Sequence, residues 1–465
     1  MKNNMQKLIV CLLIIVGNNL SAQGFKLPNY TTFKLPNGLT VSLMEQHDVP
    51  IISVSVILPA GAIYDNDKAG LASLTAISLK HGTKNFPKTK LDEELDFLGA
   101  AVDTYATKEY AGLSSNFASK DKVKVLSIIK EIVLNPVFDT AEFEKEKSRL
   151  LVTFGQQKES PRSVIGAYFD TLLYGDHVYA NVKNGNKSTV GKLTVYDVKD
   201  FYKTNYKPNE AAISIVGDFQ ANEMKATITK LFSSWEKSSV KIENLASKPI
   251  NLPNENRVLL VNKGDAKETT FFIGSPGVSR NNPDFVAIEV INTLFGGRFT
   301  SMLNDELRVN TGLTYGAGSR FNPLKNGGSF YISTFTATKT TEPAIDKALE
   351  VLKNLHAKGI DETALNSAKN YVKGQFPPDY ETTEQLAVLL SQMFWYNFDK
   401  SFINNFEKEV DGLDLDKANQ IIAKYFPKDK LQFVLIGKSE DIKKIAEKYG
   451  KVTEVEISDD IKKMN

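Results

Sequence analysis

An α+β fold made twice, each copy a mostly antiparallel β-sheet packed with α-helices, is what the order of apolar patterns in this chain predicts. Three observations carry it. Leu39 to Glu45 and Ile51 to Leu58 have the β-branched, alternating character of paired strands around a turn at His47, Asp48 and Pro50, and an apolar helix follows from about Lys68. After Glu255 the same order returns, as Val258 to Val261, Thr269 to Ile273 and a helix from about Pro283 to Leu294. The ends of the halves repeat as well: Leu193, Tyr206 and Gly217 have counterparts Leu413, Phe426 and Gly437 at one constant offset, which marks a duplication.

The bulk numbers agree. A chain of 465 residues, 42% hydrophobic and 24% charged, exceeds the size at which a single core divides. The expected plan is a segment 1–22 that leaves the mature protein, an N-terminal domain over 24–240, a linker over 241–256 and a C-terminal domain over 257–455. The linker is the polar stretch containing Pro249 and Pro253. Segment 1–22 reads as a secretory signal, with Lys2 and Lys7 before the apolar run Leu8 to Val16 and small residues Ser21 and Ala22 near the cleavage point. Export to the periplasm or the extracellular space is therefore expected, with no transmembrane segment in the mature chain. The one cysteine, Cys11, lies inside the apolar run, so the mature protein has neither disulfide nor thiolate ligand. Lys plus Arg number 57 against 55 for Asp plus Glu, a balance that gives no electrostatic case for nucleic acid.

Much of the remaining pattern is structural. Asp121 to Leu134 carries apolar residues at helical spacing and reads as core, and the charged run Glu142 to Arg149 reads as a solvated helix face. The four histidines, His47, His81, His177 and His356, are dispersed with no pair at helical ligand spacing, and no serine stands in a G-x-S-x-G elbow.

Two segments carry more. Gly70-Leu71-Ala72-Ser73-Leu74-Thr75-Ala76-Ile77-Ser78-Leu79-Lys80-His81-Gly82-Thr83 resembles, without gaps, the segment in which the pitrilysin/insulinase (inverted zincin) peptidases carry H-x-x-E-H. The resemblance implies that the two zinc-binding histidines and the glutamate that activates water would stand at Ser73, Ile77 and Ala76, and the distal glutamate ligand at Thr153. None of these side chains can do that work, so no zinc is expected on this chain. Glu146 survives nearby on the charged helix, where a lone carboxylate reads as a surface group.

The second segment, Phe295 to Gly316, is similar to the C-terminal motif of the same family, in which an arginine and, seven residues later, a tyrosine reach into the zinc site. Arg308 and Tyr315 stand at those places. A guanidinium and a phenol there would donate hydrogen bonds to a substrate carbonyl and to the oxyanion formed in peptide hydrolysis. Thr300 or Ser301 is expected to cap a short helix ending near Arg308, Gly312 to stop it, and a strand to begin near Leu313. The structural alternative pairs Arg308 with Asp305 or Glu306 and packs Tyr315 in the core. Gly296 and Gly297 fall where some non-catalytic members have a longer glycine-rich substrate loop, and they serve equally well as a helix cap. Gly99 to Ala111 resembles the family strand whose edge pairs with substrate, with Asp103-Thr104-Tyr105-Ala106 in place of Asn-Ala-x-Thr.

The resemblance spans about residues 30 to 440 and implies a two-chain assembly. This chain would be the non-catalytic, substrate-binding subunit, its partner a homologous chain bearing the zinc, and the substrate a peptide or an unfolded protein. The alternative is a scaffold or binding protein of the same fold with no peptidase role.

Overall fold

The computed structural model describes residues 25–239, 242–251 and 254–464, so the expected signal segment, with Cys11, lies outside the described residues. Two six-stranded mixed sheets organise it. The first contains β1 (Thr31–Lys34), β2 (Thr40–Glu45), β3 (Ile51–Leu58), β4 (Ala101–Ala106), β5 (Ala111–Ala118) and β6 (Ala212–Gly217) in the order β1-β2-β6-β3-β5-β4. The second contains β7 (Arg257–Asn262), β8 (Glu268–Pro276), β9 (Ala317–Leu324), β10 (Gly327–Ala337), β11 (Gln432–Gly437) and β12 (Lys451–Glu456) in the order β12-β7-β11-β8-β10-β9. Parallel pairs are confined to β2 with β6 in the first sheet and to β12-β7-β11 in the second; the other neighbours run antiparallel. The two sheets thus share one plan, the expected α+β fold made twice. Each ends in an open edge, β4 and β9, on the side of its hairpin.

Helices named below are α1 (Leu71–Ser78), α2 (Thr140–Lys158), α3 (Pro161–Tyr174), α4 (Phe285–Asn292) and α5 (Thr383–Tyr396). One face of each sheet is covered by helices of its own half: Ile52, Val54 and Val56 of β3 join the first core, and Phe433 and Leu435 of β11 join the second. The opposite faces are covered by exchange. Helix α3, from the first half, lies on the second sheet, where Ile165, Tyr168, Phe169, Leu172 and Leu173 meet Leu259, Val261, Val434 and Ile436. Gly274 makes room for it, since a Cβ there would come within 2.6 Å of the Phe169 ring. Helix α5, from the second half, lies on β3 and β6 of the first sheet.

Strict alternation in β3 would leave its second face to water. Instead Ser53 and Ser55, with Ser214 of β6, are almost wholly buried beneath α5. Small hydroxyl side chains let the helix approach, and they are satisfied across the contact: Ser53 bonds Thr383 at 2.8 Å, while Ser391 donates to the Ser55 carbonyl at 3.3 Å and to Ser214 Oγ at 3.1 Å. Trp395 completes the cover against Ile57 and Ala212.

The ends of the chain and the hairpin turns tie the halves again. Leu27 donates its backbone N–H to Asn404 Oδ1 at 2.9 Å, and Phe25 stacks on Tyr380. After β12 the chain returns to the first half, where Asp460 accepts from the backbone N–H groups of Lys187 and Ser188 and Lys158 donates to the Ser458 and Asp459 carbonyls. Between the two hairpins, Glu109 accepts from the backbone N–H of Lys325 at 2.9 Å and from the Tyr179 hydroxyl. Burial raises the pKa of the Glu109 carboxyl, and these donors oppose the rise.

Trp395→Ala should destabilise the protein by about 3–5 kcal/mol in urea unfolding, as expected for deleting a large buried ring. Residues 25–239 expressed alone should lack a cooperative thermal transition, because the serine face of the first sheet then has no cover. A fragment that melts cooperatively would show α5 to be dispensable.

Candidate functional site

The segment expected to be a degenerate metal site is helix α1. Gly70, at φ +95°, turns the chain into it, and the buried Asp65 carboxylate accepts from the backbone N–H groups of Gly70 at 2.8 Å and Ala72 at 2.7 Å. Burial pushes the Asp65 carboxyl well above the usual range, and the amide donors oppose that rise. Asp65 is thus the anchor of the helix start, a role its isolated position in the sequence did not signal.

On α1, Ser73 is half-buried and donates to Asn184 Oδ1 at 3.1 Å, Ala76 is fully buried, and Ile77 is half-buried. Thr153 lies on α2, half-buried, its hydroxyl bonded to the Arg149 carbonyl of its own helix at 2.9 Å. A hydroxyl tied to a neighbour, two hydrocarbon side chains and a hydroxyl turned back on its helix do not fit a zinc ion. Glu146 is engaged by Arg149, which holds its carboxyl below the ordinary range. No group of three His, Cys, Asp or Glu residues that could hold a metal occurs among the described residues. The histidines are separately accounted for: His47 pairs with Asp218, His177 bonds the Lys248 carbonyl, and burial lowers the pKa of both His81 and His356.

In the second half, Ser301 caps Met302–Asn304 by accepting the Asn304 N–H, and the helix widens into a π-turn over Asp305–Asn310. Gly312, at φ +63°, reverses the chain. The next strand begins at Ala317 rather than near Leu313, because the Leu313 and Thr314 N–H groups turn back to the Leu307 carbonyl at 2.8 and 3.3 Å. Those amides cannot join a ladder.

This local geometry sets out both expected side chains. Tyr315 is 83% exposed, so it is not a core residue. Its ring stacks near Phe335 at 6.5 Å, and the Arg162 guanidinium of α3 lies 3.5 Å from the centre of that same Phe335 ring. Arg308 lies 4.6 Å from the centre of the Phe299 ring and forms no ion pair with Asp305 or Glu306. Each polar tip therefore stands on an aromatic base with its donors free of intrachain acceptors among the described residues. Phe299, Phe335 and Arg162 had no motif to announce them; only position brings them together. Gly296 lies within the π-turn Thr293–Gly297 after α4, where a Cβ would come within 2.3 Å of Ser319 Oγ, so its space is filled by β9. Gly297 is exposed beside it.

Near α1, a cavity of about 370 Å³ opens at the seam of the halves, lined by Phe154 and Gln157 of α2, Ser163 of α3, Lys108, Asn184 and Asp460. Asn184 is the residue that holds Ser73, and Phe154 follows Thr153, so the cavity adjoins the former metal positions. The edge strand β4 packs against α1 on the same side. There Tyr105 crosses to Gly112, where a Cβ would collide with its ring at 2.5 Å.

A duplicated α+β frame with a seam between halves and an H-x-x-E-H-like helix stripped of its ligands defines the class: a metallopeptidase fold without its metal site. Residues 40–180 match the domain described as "Insulinase (Peptidase family M16)", and residues 192–372 match the "Peptidase M16 inactive domain". Together these matches span most of the chain, which belongs to the insulinase (M16) peptidase family and is an inactive member lacking the zinc-binding motif.

Among its relatives are a "Non-peptidase homolog YmxG" of Helicobacter pylori, 21% identical over 93% of this chain and 99% of that protein, and subunit 1 of the bovine mitochondrial cytochrome b-c1 complex, 24% identical over 58% and 56%. A solved peptidase M16 inactive domain from Pseudomonas fluorescens has the same fold, with a TM-score of 0.82, 24% identity and coverage of 88% of this chain and 98% of that one.

Elemental analysis of the purified chain should find no stoichiometric zinc. A chain carrying Ser73→His, Ile77→His and Thr153→Glu should gain one, because Ser73 and Ile77 are one helical turn apart beside α2. One tightly held zinc in the unaltered protein would reveal a ligand set built from other residues.

Proposed function

We propose that this chain is the non-catalytic, substrate-binding subunit of an exported zinc metallopeptidase heterodimer. The partner is a homologous chain with an intact H-x-x-E-H, and the substrate is a peptide or an unfolded protein segment. One observation carries the reading: Tyr315 is exposed and Arg308 half-buried, braced on Phe335 and Phe299 with no intrachain acceptor among the described residues, while the ligand positions on α1 and α2 are chemically silent. A guanidinium fork and a phenol held this way can donate to the substrate carbonyl and to the oxyanion that develops in a partner's site. Gly296 and Gly297 precede this segment, and the exposed Gly297 is the one of the pair open to a bound peptide.

A second reading, a scaffold subunit with no peptidase role, is favoured by the relative named as subunit 1 of the cytochrome b-c1 complex. Donors braced on aromatic bases and left without intrachain acceptors favour the first reading, although a recently retired enzyme would retain them too.

Co-expression with a zinc-bearing homologue should give one peak in size-exclusion chromatography and peptide cleavage that neither chain shows alone. In that complex Arg308→Ala and Tyr315→Phe should each reduce turnover by roughly a hundredfold to a thousandfold, the usual effect of removing one oxyanion donor. Elution and melting temperature should be unchanged. Arg308→Lys should not rescue fully, because a point ammonium lacks the planar fork. Separate elution with no activity on mixing would support the scaffold instead.

A further inference from the structure

We propose that the second domain contains a binding site for a small carboxylate with an aromatic or apolar body, with Arg280 as its anchor. Arg280 follows β8 and is fixed by its backbone N–H, which donates to the Leu324 carbonyl at 2.8 Å. Its guanidinium is enclosed by rings, 4.2 Å from the centre of Phe285, 4.7 Å from Phe402 and 5.2 Å from Phe398. No carboxylate pairs with it among the described residues, and Nη1 is shielded from solvent without a hydrogen-bond partner. The guanidinium lines a cavity of about 240 Å³ whose other walls include Glu289, Phe376, Tyr380 and Val372.

A largely desolvated guanidinium with no carboxylate in contact is costly, and ring faces offset only part of the lost hydration. Glu289, in the same cavity, is not in ion-pair contact with Arg280; burial raises the pKa of its carboxyl, and the fields of Arg280 and Arg320 oppose that rise. The site therefore offers one fixed fork of N–H donors at the wall of a half-open cavity where the rings of Phe285, Phe376, Tyr380 and Phe402 adjoin the polar side chains of Glu289, Gln375 and Asp379. That combination selects a ligand carboxylate, which accepts two parallel N–H bonds, and an apolar body, which the rings cover.

The experiment titrates the full mature chain with phenylacetate and, separately, with phenylacetamide, by calorimetry or by protein-observed NMR. Phenylacetate should bind and the amide, of the same shape without the charge, should bind roughly tenfold or more weakly. Val372→Trp should fill the cavity and abolish binding of both. Arg280→Met should remove the preference for the carboxylate while melting at the same or a higher temperature. The proposal is overturned if the two probes bind equally, if neither binds at millimolar concentration, or if Val372→Trp binds phenylacetate unchanged. Should Arg280→Met fail to fold, Arg280 is a structural cation, and the wild-type selectivity together with Val372→Trp decides whether it is also a binding group.

Discussion

The exchange of covering helices is the constraint on which the rest of the structure depends. Each sheet has two faces to bury and a half-chain supplies helices for only one, so α3 must cross to the second sheet and α5 to the first. The exchange makes the halves one cooperative object. It also fixes where the seam lies, because α3 begins directly after α2, the helix bearing Thr153, and its first turn presents Arg162 to the Phe335 ring beneath Tyr315. The elements that carry the former metal positions and the exposed Tyr315 are thereby joined through one contact.

Within that frame, α1 has become a packing element. Ala76 is sealed from water, and Ser73 is tied to the loop at Asn184, so the helix face that would open to a metal is closed by ordinary contacts. Its start is nonetheless held by a wholly buried carboxylate, Asp65, an expensive way to cap a helix whose only purpose is burial. A helix that no longer binds metal still needs its position, because α1 lies against β4 and α2. The frame outlives the chemistry since the frame is what every other element packs on.

The duplication, the strand pairs and the positions of the degenerate motif were legible because they are local patterns: alternation in β3, continuous apolar runs in β7 and β11, and a gapless run from Gly70 to Thr83. The exchange of helices was half legible. Val258 to Val261 is apolar on both faces and so demands two covers, whereas Ser53 and Ser55 look solvent-facing until α5 is placed on them. The strand expected near Leu313 starts at Ala317 because two amides turn back to one carbonyl, a tertiary detail that propensity does not encode. Asp65, Arg162 and Arg280 belong to no motif: Asp65 holds the backbone of Gly70 and Ala72 just ahead of it, whereas Arg162 meets Phe335 and Arg280 meets Phe398 and Phe402 only through the fold.

Exposed and buried cations in this chain follow different logic, and the difference bears on what the fold is for. A number of surface lysines sit beside carboxylates, such as Lys88 with Asp92 or Lys347 with Glu350, pairs that contribute little to stability and solvate the surface. The arginines at 162, 280 and 308 instead rest on aromatic rings. A ring orients a guanidinium without using its N–H donors, so those donors stay available to an incoming oxygen. A domain that had retired to pure scaffolding would be expected to pair or replace such groups. Their placement on rings leaves their N–H donors free, at the seam for Arg162 and beside a cavity for Arg280.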